Sequence, residues 1–295
     1  MYRSLGEAIR DAEGRGMSLA NLALEREAED QGRPVAEIRA ALQRALVIMR
    51  GAISDGLTGD MRSASGLVGG DAAKLRMNPA GPLADTPFRD ILARALAVQE
   101  VNAAMGVIVA APTAGGAGTL PAVLTGLADA KGIPEERVID ALAAAGLIGA
   151  VIAERASLSG AEGGCQAETG AGAAMAAGAC TEMLGGSPSQ VGHAVALSMQ
   201  GMLGLVCDPL GGLVELPCVF RNATGSAIAL AAIEMALAGI TFAIPSDEVI
   251  DTMGEIGRDM DVRYRETAGG GLAATPTGRR LAKERLVQIK KGTRD

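Results

Sequence analysis

Hydrophobic residues recur at helical spacing along most of the chain, and serine or proline residues mark where helices begin. Behind Pro34, five apolar residues spaced three or four apart fall on one helical face: Val35, Ile38, Leu42, Leu46 and Met49. Ser4 with Glu7, and Ser187 with Gln190, fit the pattern of a capping box at a helix start. The pattern therefore predicts a predominantly helical protein.

Only two short runs look like strands, at residues 107–111 and 213–216. No repeat or low-complexity linker divides the chain, so we expect one compact all-α domain over residues 1–295. Residues 1–55 would form its helical N-terminal part and residues 277–295 a basic helical tail. The composition is 48% hydrophobic but only 2% aromatic, so small side chains should let the helices pack closely.

Charge and apolar segments exclude several classes of protein. A net charge of −7 argues against a nucleic-acid binder, which usually carries a basic patch. The N-terminus lacks the apolar core of a secretory signal, and Glu234 interrupts the longest apolar stretch, residues 227–245. We therefore expect a buried helix there, no membrane span, and a cytoplasmic protein. In that compartment the four cysteines would be thiols or metal ligands rather than disulfides.

Three of the cysteines lie among glycine and proline residues instead of inside predicted helices. Cys165 follows Glu-Gly-Gly, Cys207 precedes Asp-Pro-Leu-Gly-Gly, and Cys218 follows Leu-Pro. Irregular backbone lets separate segments converge on one ion or cluster, and three thiolates would leave a metal one open position. The spacings match no zinc-finger or ferredoxin pattern, and free cysteines are often buried, so three core thiols are the alternative.

Two glycine-rich segments could bind a polar ligand. Residues 111–121 lack the lysine of a P-loop and the third glycine of a dinucleotide-binding fingerprint. They offer a series of backbone N–H groups that could hold a carboxylate, unless they form a tight turn between helices. In residues 62–74, Ser63 and Ser65 could hold a polar ligand and Lys74 could pair with a carboxylate, unless the segment is a surface loop.

For two further residues, a structural position is a better interpretation than a role in catalysis or metal binding. His193, the only histidine, lies inside a predicted helix, where a core or surface position is commoner than a catalytic role, so it is a weak candidate for a base. Cys180 shares a helical face with Ala176, Met183 and Leu184, which predicts a thiol in the core.

Taken together, these motifs resemble the α subunit, the catalytic half, of the iron–sulfur-dependent bacterial L-serine dehydratases (L-serine deaminases). The resemblance covers essentially the whole chain and is strongest in long, specific strings. They are Ser-Ala-Ser-Gly-Leu-Val-Gly-Gly-Asp-Ala (63–72), Ala-Pro-Thr-Ala-Gly-Gly-Ala-Gly (111–118), Glu-Gly-Gly-Cys-Gln-Ala-Glu (162–168), Leu-Val-Cys-Asp-Pro (205–209), Val-Glu-Leu-Pro-Cys (214–218) and Arg-Asn-Ala (221–223).

The resemblance implies a helical catalytic domain whose glycine-rich loops converge on an oxygen-labile [4Fe–4S] cluster, held by Cys165, Cys207 and Cys218. It implies a lyase of amino-acid catabolism and gluconeogenesis that converts L-serine to pyruvate and ammonia without pyridoxal phosphate. The open iron would act as a Lewis acid on the substrate hydroxyl while a base removes the α-proton. The loops would contribute these substrate contacts: Ser63, Ser65, Gly66, Thr113, Gly115, Gly116 and Asn222.

The resemblance also implies a separate β subunit and an oligomer, because single-chain members carry the equivalent region before the catalytic half. Those members have a late cysteine that can reach the cluster, and the last residues of this chain contain none. One alternative is a related cluster lyase acting on threonine or cysteine, since a methyl group gives a pocket only about 1–3 kcal/mol of discrimination. The other is a non-catalytic iron–sulfur module that binds a partner through the basic tail.

Overall fold

The structure, a computed structural model, describes residues 2–292, with side chains as far as Leu286. Helices make up most of these residues. The α-helices are α1 (Leu5–Arg15), α2 (Leu19–Gln31), α3 (Val35–Gly56), α4 (Asp71–Met77), α5 (Pro87–Ala103), α6 (Thr119–Lys131), α7 (Glu135–Arg155), α8 (Gly160–Gly163), α9 (Ala171–Met183), α10 (Pro188–Gln200), α11 (Cys218–Leu237), α12 (Ser246–Asp259) and α13 (Pro276–Gly292).

Short irregular helices connect several of these elements. A π-helical turn, Gln166–Gly170, leads into α9, and 3₁₀ turns occupy Leu210–Gly212, Val262–Tyr264 and Gly271–Ala274. The described residues contain no strand, only an isolated β-bridge between Cys207 and Arg265. The all-α prediction is therefore confirmed.

The two predicted strands are wrong. Residues 107–111 have no regular secondary structure and pair with no neighbouring segment in the described part of the chain, and residues 213–216 form bends and a turn. Both runs have the apolar composition of a strand. The fold nevertheless gives them no strand partner, because the elements around them are helices.

Helix α9 lies at the centre of the fold, between α6, α7, α10 and α11. It is apolar on every face, and most of its residues are alanine or glycine, so all of them except Glu182 are buried. A helix without a polar face has to be enclosed on all sides. Small side chains also let the four surrounding helices approach it closely, as the composition predicts.

Buried and partly buried carboxylates from distant parts of the chain bind the N-termini of three other helices. Asp247 accepts hydrogen bonds from the first two N–H groups of α1, and Glu182 accepts from those of α2. Glu100, on α5, accepts from three N–H groups at the start of α4. These N–H groups have no partner within their own helices, and a negative charge there also matches the helix dipole.

The predicted helix starts are mostly confirmed. Ser187 and Gln190 form both bonds of a capping box at the start of α10. Ser4 accepts from the Glu7 backbone, but the Glu7 carboxylate bonds Arg3 instead of returning to Ser4, so only half of that predicted box forms.

The C-terminal part of the chain is helical, as predicted. Helix α13 begins at Pro276 and packs through Ala282 and Leu286 on the turn at Gly211. The last residues of the predicted tail, 293–295, lie outside the described part of the chain. Across the described residues, no helix combines the length and the apolar character that a bilayer crossing needs.

Removing a carboxylate cap should destabilise the fold measurably. In Glu182→Ala, two α2 N–H groups lose acceptors at 2.7 and 2.8 Å. We expect a loss of about 1–3 kcal/mol in the free energy of unfolding, measured by urea denaturation. Glu182→Gln keeps one acceptor oxygen and should lose less. The control Glu29→Ala removes an exposed carboxylate, and an equal loss there would contradict the role of the cap.

Candidate metal centre

The three cysteines that the sequence singles out converge in the fold. Cys165 lies between α8 and the π-helical turn, Cys207 lies in the segment after α10, and Cys218 is the first residue of α11. All three are buried free thiols. Ligand atoms of Cys165 and Cys207 lie within 4.8 Å of each other, and the Cys218 thiol is close enough to Cys165 to lower its pKa. Cys180 lies apart inside α9, where burial raises the pKa of its thiol, so its predicted core position is confirmed.

The three thiols shift one another's pKa in opposite directions. Hydrogen bonds from Cys207 and Cys218 lower the pKa of Cys165 well below its ordinary value, and Arg221 lowers it further. The same contacts with Cys165, together with burial, raise the pKa of Cys207 and of Cys218.

A buried ion pair fixes the backbone around the thiols. The Asp208 carboxylate lies 2.8 Å from Nη2 of Arg221, whose Nη1 donates to the Val206 carbonyl at 2.8 Å. The other Asp208 oxygen accepts from the Leu272 N–H at 2.7 Å. Gly271 permits this contact, because it has a positive φ and a Cβ atom there would overlap the carboxylate. The pair thus joins α11, the Cys207 segment and the C-terminal 3₁₀ turn.

Glu168 is the acidic group nearest to the thiols. It follows Cys165 by three residues on the π-helical turn, and its Oε1 accepts from the Thr113 hydroxyl at 2.8 Å. Glycines line its carboxylate, because a Cβ at Gly115 or Gly160 would lie within 3.0 Å of it. Burial raises the pKa of Glu168 to about 7, and the neighbouring Cys165 thiolate raises it as well.

The donor atoms fit a metal that prefers sulfur. One ligand atom each from Cys165, Glu168 and Cys207 lie within 4.8 Å of one another, and Cys218 is close enough to Cys165 to lower the pKa of that thiol. The Cys207 sulfur is 3.8 Å from Oε2 of Glu168. Thiolates select zinc or iron–sulfur clusters over hard cations, so this donor set fits the cluster that the sequence resemblance implies.

Asn222 anchors the glycine-rich loop to α11. Its Oδ1 accepts from the N–H groups of Gly118 and Thr119 at 2.9 and 3.1 Å. Its Nδ2 donates to the carbonyls of Gly115 and Cys218 at 2.7 and 3.0 Å. The side chain caps α6 and links that helix start to a cysteine of the site.

The same loop presents three consecutive N–H groups without a protein partner. Gly116 donates to the Thr113 carbonyl and Ala117 to the Ala114 carbonyl, so these amides are used within the loop. The amides of residues 113–115 have no hydrogen-bond partner among the described residues. Three adjacent amides of this kind can bind an anion such as a carboxylate.

The serine loop is tied to the Cys218 turn by Glu215. Ser65 donates both its backbone N–H and its hydroxyl to the buried Glu215 carboxylate. Ser63 accepts from the Val68 N–H at 3.3 Å and is buried, and Gly66 completes the turn with a positive φ. Glu215 precedes Cys218 by three residues, so the structure brings this predicted loop next to the cysteines.

Two other candidates lie elsewhere. Lys74 is exposed on α4 and pairs with Asp71 of its own helix at 2.8 Å. His193 lies on α10, and its Nδ1 accepts from the Phe242 N–H at 3.3 Å. Among the described residues, no hydrogen bond connects His193 to the cysteines.

Several residues of the site carried no role in the sequence analysis: Glu168, Asp208, Glu215 and Arg221. Glu168 could have been found, because Cys-x-x-Glu on a helical turn places both side chains on one face. The others act through partners far along the chain, and no local pattern reveals such pairs.

Asn222 gives a direct test of the loop anchor. In Asn222→Ala, two buried N–H groups at the start of α6 lose their acceptor, and we expect unfolding to cost about 1–3 kcal/mol less. The measurements are urea denaturation and limited proteolysis at residues 113–119, which should become more sensitive. Asn102→Ala is the control, because Asn102 bonds the same loop only at the Ala114 carbonyl, at 3.2 Å. An equal effect of both substitutions would contradict the anchor.

Comparison with known proteins places these features in a family. A family model described as "Serine dehydratase alpha chain" matches residues 14–273. A Bacillus subtilis protein named "Probable L-serine dehydratase, alpha chain" is 45% identical over 290 residues, which is 96% of this chain and 95% of the relative. The Peptoniphilus asaccharolyticus protein named "L-serine dehydratase, alpha chain" is 38% identical over 290 residues, 98% of this chain and 99% of the relative.

A longer relative shows the same similarity over part of its length. The Streptomyces coelicolor protein named "L-serine dehydratase" is 43% identical over 279 residues. These residues are 92% of this chain but only 60% of the relative.

Proposed function

The chain belongs to the serine dehydratase alpha chain family, and from that premise we propose that it is the catalytic chain of an L-serine dehydratase. The reaction is the conversion of L-serine to pyruvate and ammonia without pyridoxal phosphate. The observation that carries the proposal is the convergence of three buried thiols beside Glu168 and a loop with unpartnered amides.

Cys165, Cys207 and Cys218 would hold a [4Fe–4S] cluster. When bound, such a cluster with three protein ligands supplies a Lewis acid that makes the substrate hydroxyl a better leaving group. Support comes from the donor set, because all three side chains are buried sulfur ligands on separate segments. Arg221 lies against Cys165 and offsets part of the negative charge.

The substrate carboxylate would bind the amides of residues 113–115. These N–H groups are consecutive and lack protein partners among the described residues. Thr113 also bonds Glu168, so the same loop would place the substrate next to that acid. Ser63, Ser65, Gly66, Gly115, Gly116 and Asn222 shape the two loops around this space, and Asn222 acts by holding the glycine-rich loop in position.

Glu168 is the side chain best placed to move a proton. Its Oε2 faces the Cys207 sulfur, while its Oε1 is held by Thr113. In the proposed step, Glu168 Oε2 removes the α-proton, the electron pair forms the Cα–Cβ double bond, and the β-hydroxyl leaves. The aminoacrylate product tautomerises to an imine, which water hydrolyses to pyruvate and ammonia. His193, the weak candidate from the sequence, has no described contact with this space.

The proposal includes a companion β chain in an oligomeric cytoplasmic enzyme. The names of two relatives call them alpha chains, and a longer relative named as a whole L-serine dehydratase has additional sequence beyond the part that this chain matches. The companion would supply that additional part as a separate polypeptide.

Iron and sulfide analysis after anaerobic purification tests the cluster. We expect about four of each per chain, falling on exposure to air, together with pyruvate formation from L-serine. Cys165→Ala, Cys207→Ala and Cys218→Ala should each lose iron and activity, because each removes a ligand. Cys180→Ala is the matched control and should keep both. Full activity without iron, or equal activity in all four variants, would contradict the proposal. Assays with L-threonine and L-cysteine beside L-serine identify the preferred substrate.

The role of Glu168 has its own test. Glu168→Gln keeps the shape and can still accept from Thr113, but it cannot take a proton. We expect kcat for L-serine to fall by about 10²–10⁴-fold, while the visible absorption of the cluster is unchanged. Glu162→Gln, an exposed acid on the neighbouring α8, should behave as the unmodified protein. An undiminished kcat in Glu168→Gln would exclude Glu168 as the base.

A further inference from the structure

A chain of alternating arginines and aspartates connects α3, α4, α5 and α6. Arg94, on α5, donates through Nη1 to Asp129 at 2.7 Å and through Nε to Asp90 at 2.6 Å. Asp129, near the end of α6, also accepts from Nη1 of Arg50 at 3.4 Å, and Asp90 pairs with Nε of Arg76 at 3.7 Å. The chain of charges therefore runs from Arg50 on α3 to Arg76 on α4 and has an arginine at each end.

The two terminal arginines keep most of their hydrogen-bond donors unused. The Nε of Arg50 is buried and has no hydrogen-bond partner among the described residues, and the bond of Arg50 to Asp129 is long. Arg76 makes no side-chain hydrogen bond within the described part of the chain, only its distant pair with Asp90. A buried N–H without an acceptor destabilises a protein, so its presence here indicates that an acceptor completes this group when it binds.

A cavity of about 400 Å³ lies between these arginines. Arg50, Arg76 and Arg94 all line it, together with Asp129 and with Ser54, whose hydroxyl bonds no other described residue. Sites for small molecules typically have volumes of about 300–1,000 Å³, so this cavity has room for more than a single ion. None of the residues that line it belongs to the candidate metal centre.

Positive charge prevails around this cavity, although the whole chain has a net charge of −7. Three arginines meet only the two carboxylates of Asp90 and Asp129. Asp129 accepts from one arginine on each oxygen, and Asp90 likewise pairs with one arginine on each, so both acids orient the guanidinium groups. An anion bound between the two terminal arginines would balance the excess positive charge.

We propose that this cavity binds the phosphate group of a small metabolite between Arg50 and Arg76. Guanidinium groups bind phosphate through pairs of parallel N–H bonds, and the unused donors belong to these two side chains. A phosphate monoester has three terminal oxygens that point in different directions, which suits donors that reach the cavity from three helices. A carboxylate has only two oxygens in one plane. The site and its ligand do not depend on the proposed function.

Isothermal titration calorimetry of the whole chain with glycerol 3-phosphate tests the site. We expect saturable binding, which should weaken at least about tenfold in Arg50→Gln and in Arg76→Gln, because each variant loses a charged donor pair. Arg44→Gln is the matched control: it removes the same charge from an exposed position of α3 outside the cavity and should bind as the unmodified protein does. No binding to the unmodified protein, or equal weakening in Arg44→Gln, would overturn the proposal.

Titration with two other compounds tests the class of ligand. Glycerol has no charged group and acetate has a planar carboxylate, so both should bind at least about tenfold more weakly than glycerol 3-phosphate. Acetate binding as tight as that of glycerol 3-phosphate would contradict a phosphate site.

Thermal unfolding gives an independent readout in the same variants. Saturating glycerol 3-phosphate should raise the Tm of the unmodified protein and of Arg44→Gln, because a ligand that binds only the folded state stabilises it. The Tm of Arg76→Gln should stay unchanged. The Arg76 side chain is 54% exposed, so this substitution leaves the core intact, and circular dichroism checks that the variant is folded. An equal rise of Tm in Arg76→Gln would exclude this cavity as the binding site.

Discussion

The buried ion pair between Asp208 and Arg221 is the interaction on which the cysteine site depends. Asp208 follows Cys207 directly, and Arg221 lies one helical turn beyond Cys218 with its guanidinium against Cys165. One contact therefore sets the relative positions of three segments that are far apart in sequence. Removing one partner of a buried ion pair typically costs about 3–5 kcal/mol, because it leaves the other charge unpaired.

Buried polar side chains hold the loops of the site in place through hydrogen bonds. Asn222 fixes the glycine-rich loop, Glu215 fixes the serine loop, and Gln166 bridges α12 and the turn after α10. These anchors are buried, so each is strong only while its partner is present. The small residues at the start of α9 allow this arrangement, because a Cβ atom at Gly172 would lie 3.2 Å from the Gly116 carbonyl oxygen of the glycine-rich loop.

The sequence predicted the helices and the candidate metal-binding cysteines better than it predicted which distant residues contact one another. Helical periodicity and capping residues located α3 and α10, and glycine and proline context separated Cys165, Cys207 and Cys218 from the core thiol Cys180. Strand propensity failed at residues 107–111, because a strand also needs a partner and the described fold supplies none. Glu168 and the Asp208–Arg221 pair could not be assigned roles, because those roles arise from segments that meet only after folding.

The ionisable groups around the three cysteines favour the binding of a cation. Cys165 lies near Glu168 and raises the pKa of that acid, and Arg221 pairs with Asp208 and lowers the pKa of Cys165. Burial raises the pKa of Glu168, and the nearby thiolate raises it further, so the protein alone resists placing another negative charge there. In the proposed site, a bound metal would add positive charge and favour deprotonation of Cys207 and Cys218, whose pKa values are raised by burial and by Cys165. The buried groups that resist further negative charge in the protein alone would therefore become ligands once a metal supplies the opposite charge.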